Sequence, residues 1–332
     1  MDVVKRTSSK RNLSAVVTLF FVAPFIAEYL LGDLPLKFIF VLILMAPMYG
    51  GGAVLIREAA RRMGRGWPTM FVLGMVYALV EEGFISQSLF NPDYLKLHMH
   101  LLQPAYLPGL GIGGWWTLLM LNLHTFWSIS VSIALVEALF PEKRPSVWLG
   151  KIGDSVVAAL FVLGLAANAA IGFKQNHFVA SQLQFLCTGV ACMLLFAIAI
   201  RLRIRGKLSL DNAVPRPWVT GVVVLVLSIA FLWTPQRWGW GAVAALLALD
   251  AVFLVFLALF SSRSGWTPLH TLSVAAAGAI AYGFHAFFQP PLVPGSMVMA
   301  RVGNAIFMAV AIALIVMAAR RSAQAELATE RG

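Results

Sequence analysis

Glu81 and Glu82 are adjacent carboxylates inside a long apolar stretch that runs from about residue 69 to 90. A charged carboxylate at mid-bilayer costs about 3 kcal/mol even on generous insertion scales, unless it is paired or carries a proton. Read as a helix entered at residue 69, the stretch puts Glu81 about 18 Å along its axis, just past the midplane. His124 lies in the next apolar stretch, about 12 Å below its outer edge and so at a matching depth. Ser128 and Ser132 follow at i+4 and i+8 and share its face in a regular helix. His177 opens a later stretch, with Ser181 and Gln184 following at i+4 and i+7.

Two carboxylates and two imidazoles suit more than one chemistry. One glutamate can take a proton from water while the histidines polarise a carbonyl or hold an oxyanion. His124, His177 and Glu82 could instead ligate a divalent metal such as zinc, which generates hydroxide. The same residues could relay protons in a transporter or channel, or serve helix packing alone in a non-enzymatic immunity or assembly protein. Secondary cavity residues are Ser181, Glu28, Asp250, His285, Asn304 and Arg301, most of them in the outer half of their stretches. No cofactor is required by any motif. The glycine-rich run before Trp115 follows no strand, so it is not a dinucleotide fingerprint.

The elements that position these residues are read from composition. Of 332 residues, 60% are hydrophobic and 12% charged, about half the charge that a soluble domain carries. Apolar runs near 20 residues recur, enough to cross about 30 Å of hydrocarbon. The expected fold is all-α: one polytopic membrane domain over 1–332 with about ten spans. These are 13–31, 38–56, 69–90, 116–140, 154–172, 178–200, 218–234, 239–260, 268–288 and 297–319. With both termini cytoplasmic, most of the 25 basic residues fall on the inner side. They include Lys5, Arg6, Lys10 and Arg11, then Arg57 to Arg65, Arg201 to Lys207, and Arg320, Arg321 and Arg331. The outer side keeps Lys37, Lys96, Lys174, Arg237 and Arg301. The net charge of +11 is therefore spread over short loops, which argues against a nucleic-acid partner. The expected partners are the lipid bilayer and a membrane-associated peptide, and the expected location is a bacterial inner membrane. Cys187 and Cys192 share one apolar run and form no disulfide framework.

The order of these residues resembles the CPBP group, the CAAX-protease and bacteriocin-processing (Abi) membrane proteins. Their motifs read roughly Glu-Glu-x-x-x-Arg, Phe-x-x-x-His and His-x-x-x-Asn. Glu81-Glu82 match the first, His124 the second, and His177 with Ser181 the third. Ser86 stands where the family has its arginine, Met120 where it has phenylalanine, and Ser181 where it has asparagine. The resemblance covers residues 69–200 as a catalytic core and leaves 218–319 as accessory helices. It implies an intramembrane peptidase in which Glu81 or Glu82 activates water, with His124 and His177 as electrophilic or ligand groups. With the N-terminus inside, the site opens to the outer half of the bilayer, which argues against a prenylated cytosolic substrate.

The charge asymmetry makes a topology prediction. Single cysteines replacing Lys96 or Lys174 should react with an impermeant thiol reagent applied to intact cells, and cysteines replacing Arg62 or Arg205 should not. Labelling of Arg205→Cys would mean a miscounted helix.

Overall fold

A computed structural model describes residues 9–202, 213–293 and 295–330. Lys5, Arg6, Arg203, Arg205, Lys207, Arg331 and the side chains of Lys10 and Arg11, all part of the charge pattern, lie outside the described residues. Among the described residues the fold is all-helical apart from one two-stranded hairpin, β1 (Tyr106–Leu107) with β2 (Ile112–Gly113). Eight helices are long and apolar enough to cross a membrane among the described residues. They are α1 (Leu13–Leu30), α2 (Val41–Arg62), α3 (Trp67–Ile85), α4 (Gly114–Leu139), α5 (Lys151–Asn176), α6 (Gln182–Arg201), α8 (Trp240–Ser261) and α10 (Met297–Ala328). Two further helices, α7 (Pro217–Leu232) and α9 (Pro268–His285), complete the order. All ten expected segments are thus helical, although α7 is shorter than a usual span and the last helix continues to Glu330.

The centre of the bundle is α4. It packs against α1, α2, α3, α8, α9 and α10, and 78% of its most apolar window is buried. The corresponding windows of α5, α6 and α8 are only 11% buried. Their exposed leucines, valines and phenylalanines form an apolar outer surface, which in a bilayer faces acyl chains. The centre is close-packed through aromatic pairs, with Trp127 stacked on Tyr282 at 4.8 Å between ring centroids. The Trp127 indole also donates to the Gly278 carbonyl of α9.

Close approach of α1 to α2 depends on glycine. A Cβ on Gly50 would sit 2.0 Å from the Phe20 carbonyl oxygen, and one on Gly52 would press into the Tyr77 ring at 2.6 Å. Small residues at such crossings let backbones come together without a driving force from water. The crossing brings Tyr49 beside α1 and Tyr77 beside α2.

Three helices contain widened, π-helical turns: Phe25–Leu30 in α1, Val80–Ile85 in α3 and Leu123–Val131 in α4. The hydroxyls of Ser128 and Ser130 donate to the carbonyls of Leu123 and Thr125, five residues back, as the wider spacing requires. Beyond Ile85 the chain leaves the helix through Ser86–Asn91, and a loop with Leu101 and Leu102 buried follows, between the C-terminal end of α3 and the N-terminal end of α4.

One end of the bundle is tied by ions. Arg57, fully buried, donates to Glu58 at 2.6 Å and to Glu137 of α4 at 3.1 Å. Its remaining nitrogen donates to the carbonyls of Lys143, Arg144 and Ser146, and its guanidinium stacks on Trp148 at 3.5 Å. Glu58 accepts from the backbone amides of Trp148 and Leu149, and Arg61 grips both oxygens of Glu137. The group locks α2, α4 and the α4–α5 loop together with its charges paired. Removing one member leaves a buried charge without compensation. Arg57→Gln should therefore destabilise the protein by about 3–5 kcal/mol, read from thermal unfolding in detergent. An unfolding curve no different from that of the exposed control Arg320→Gln would refute a structural role.

Candidate functional site

The three widened turns carry Glu28, the Glu81-Glu82 pair and His124, and they converge. His124 Nε2 lies 2.6 Å from Glu82 Oε1, and Nδ1 lies 3.1 Å from Glu81 Oε2. One imidazole is thus bracketed by two carboxylates, all three residues at most 7% exposed. The second Glu82 oxygen accepts from the Ser86 hydroxyl at 2.8 Å and from the Ser88 hydroxyl. Ser88 in turn is held by the Trp116 indole, which donates to its carbonyl at 3.2 Å. Glu82 is therefore fully satisfied. Glu81 is not: its approach to Nδ1 is close but off the hydrogen-bond direction. Glu81 Oε2, His124 Nδ1 and the nearby Tyr77 hydroxyl are all buried without a hydrogen-bond partner. Unsatisfied buried polar atoms are rare and costly, so this side of the imidazole is the less satisfied of the two.

The second tier is Glu28, which accepts from the Tyr49 hydroxyl at 2.6 Å. The Tyr49 ring stacks on His124 at 5.9 Å between centroids, with Tyr77 tilted beside it at 6.3 Å. No Lys or Arg pairs with Glu28, Glu81 or Glu82 among the described residues. Two carboxylates therefore share one imidazole, with a third behind Tyr49, in a medium that penalises net charge. Neutrality calls for exchangeable protons or a bound cation.

The metal expectation is tested by the same atoms. Glu81, Glu82 and His124 each offer a ligand atom within 4.8 Å of the others. However, Glu82 is engaged on Nε2, so an ion on the unpaired side would take Glu81 and Nδ1 directly, with Glu82 orienting the imidazole from behind. Such an ion would supply a polarised water.

His177 is not in this cluster, which corrects the expected four-residue site and its metal set. It terminates α5 in the left-handed conformation, φ 49°, and is exposed, with its ring against Phe173. The physical reason is a chain break: α6 begins at Gln182, not at His177. Ser181 and Gln184 therefore form a capping box rather than a stripe continuing from His177. Both residues line a cleft of about 480 Å³ with Phe90, His100 and Tyr106.

The other secondary candidates are dispersed. Asp250 accepts from Asn122 at 3.1 Å, an α8–α4 contact away from the cluster. His285 packs edge-on against Trp233 at 4.7 Å. Arg301 and Asn304 both donate to the Ala286 carbonyl and fasten α10 to the end of α9. Of the secondary candidates, only Glu28 joins the site. Sequence reasoning missed Tyr49, Tyr77 and Ser88. The signal available for Tyr49 was its position before the Gly50-Gly51-Gly52 run, which marks a close crossing.

Fold and site together define a multi-pass membrane protein built around a buried carboxylate–imidazole cluster. A family model described as an uncharacterized membrane protein family matches residues 17–328, and the chain belongs to that family. No curated protein and no solved structure matches the chain. Nothing in these comparisons ties it to the CPBP group.

The Ser88 hydroxyl is the outermost support of Glu82. Ser88→Ala leaves a buried carboxylate oxygen short of a donor and should cost about 1–3 kcal/mol. Thermal unfolding in detergent checks this, and an unchanged midpoint would show that the contact carries no weight.

Proposed function

We propose that the chain is a glutamate- and histidine-dependent intramembrane hydrolase of a bacterial inner membrane, with ten spans and both termini inside, cutting a membrane-associated peptide. The observation that carries this reading is the asymmetry of the two glutamates about His124. Glu82 is saturated and holds Nε2, the role of an orienting carboxylate. Glu81 meets Nδ1 only through an ion-pair contact at 3.1 Å that is off the hydrogen-bond direction, so Glu81, the less tightly held of the two, is the base. In this mechanism Glu81 takes a proton from water as its oxygen attacks the scissile carbonyl carbon. The imidazole, protonated on both nitrogens, donates from Nδ1 to the developing oxyanion. The C–N bond then breaks as Glu81 returns the proton to the leaving amine. The likeness to CPBP motifs supports the same pair of residue types but not the third, since His177 lies elsewhere. In this reading a peptide approaches from the outer side by the cleft that Ser181 and Gln184 line with Phe90.

A second reading, proton-coupled transport, is favoured by one observation: two buried carboxylates share a single imidazole, a third lies behind Tyr49, and no Lys or Arg pairs with them among the described residues. The test separates the two. Purified protein in liposomes is incubated with a library of single-span peptides in ¹⁸O-water, and new carboxyl termini are read by mass spectrometry. Hydrolysis predicts ¹⁸O-labelled products, a loss of about 100-fold or more in Glu81→Gln, and a comparable loss in His124→Gln. No product with wild type, together with proton uptake that Glu81→Gln abolishes, would replace hydrolysis by transport.

A further inference from the structure

The ion-tied end of the bundle holds a second cleft, of about 260 Å³, which neither the cluster nor the proposed hydrolysis uses. Its charged lining is Arg61, Arg144 and Glu137, and its walls include Trp67 and Trp266. Glu137 is already neutralised, because Arg57 and Arg61 both bind it. Arg144 is different. Its carbonyl accepts from Arg57, but its guanidinium makes no hydrogen bond or ion pair among the described residues. It is half-buried, and burial, with Arg61 nearby, pushes it below the usual arginine range despite the opposing pull of Glu137 and, more weakly, of Glu326. The N-terminus of α9 adds a partial positive charge on the same cleft, with Thr267 as its cap and Pro268 in its first turn.

These features ask for an anion. A planar guanidinium with unused donors matches the oxygens of a phosphate group, and a second arginine and a helix N-terminus favour the same charge. Two tryptophans on the rim belong at the level of lipid headgroups, where an apolar ring and a polar N–H are both served. Trp266 is held in place by its own bond to the Thr271 hydroxyl at 3.1 Å. We infer that this cleft binds a phosphate group, that of an anionic phospholipid whose acyl chains lie along the apolar outer surface, with Arg144 as its principal ligand and Arg61 beside it.

The experiment uses full-length protein in phosphatidylcholine nanodiscs and follows the thermal unfolding midpoint. One arm adds phosphatidylglycerol in steps, and a second adds inorganic phosphate to phosphatidylcholine discs. Phosphatidylglycerol should raise the wild-type midpoint in a saturable way. Arg144→Gln, which removes no intramolecular bond of the guanidinium, should fold normally but need about ten-fold more of the lipid for the same shift. Arg320→Gln, which removes an exposed charge on the helix whose Arg321 reaches the α4 end, should respond as wild type does. Inorganic phosphate without effect assigns the site to lipid; an equal effect of phosphate, lost in Arg144→Gln, keeps the phosphate site but makes the ligand soluble. A wild-type protein indifferent to both additions overturns the proposal. So does Arg144→Gln behaving as wild type, or Arg320→Gln losing as much as Arg144→Gln.

Discussion

The bond between His124 Nε2 and Glu82 Oε1 is the contact on which the interior depends. Carboxylates are expensive inside a bilayer, and this chain places two of them on one imidazole and a third behind the tyrosine stacked on it. The imidazole can satisfy Glu82 only if α3 and α4 cross at that level and in that rotation. The surrounding structure holds that crossing: Ser86 and Ser88 close over the far oxygen, Trp116 fixes Ser88, and Tyr49 and Tyr77 lie against the ring. The glycine run of α2 lets Tyr49 and Glu28 come close enough to form the second tier. Packing and polar satisfaction therefore specify the same arrangement.

The bundle carries its polar chemistry in two layers. Midway along α3 and α4 the layer is acidic, partly unsatisfied and built from short contacts to a single imidazole. At the end formed by Arg57, Arg61 and Glu137 it is basic and almost fully paired. A layer with every donor and acceptor matched is suited to holding helices in register. A layer with orphaned oxygens and nitrogens is suited to exchanging protons or receiving a ligand. The lipid-facing helices α5, α6 and α8 contribute little to either layer. They enlarge the apolar wall around a core made by α1 to α4, α9 and α10.

Much of this was legible in the chain. The long apolar runs located all ten helical segments, and the cost of a buried carboxylate singled out Glu81, Glu82 and the partner at matching depth, His124. What depth cannot supply is rotation. His177 was placed by assuming that the helix containing Ser181 began four residues earlier, whereas a left-handed residue ends one helix there and another starts at Gln182. Glu28 stood out as the single charge in the first run, but its partner Tyr49 could be found only through the α1–α2 crossing. The Arg57–Glu58–Glu137 group was hidden for a different reason. Arginines near a helix end read as solvated topology signals, and only tertiary contact reveals that one of them is sealed inside.

The widened turns have a consequence for how such a site can arise and be lost. A side chain is exchanged by one substitution, but a five-residue hydrogen-bonding loop inside a helix is a matter of residue count. Deleting one residue within Val80–Ile85 would let α3 tighten to the ordinary pitch and turn everything beyond it by about 100°. Glu82 and Ser86 would then remain in the sequence while facing different neighbours. The signature of this site is as much the spacing between its glutamates and the ends of their helices as the glutamates themselves. Related chains that keep Glu-Glu and His but differ by one residue in these turns would share the letters and not the pocket.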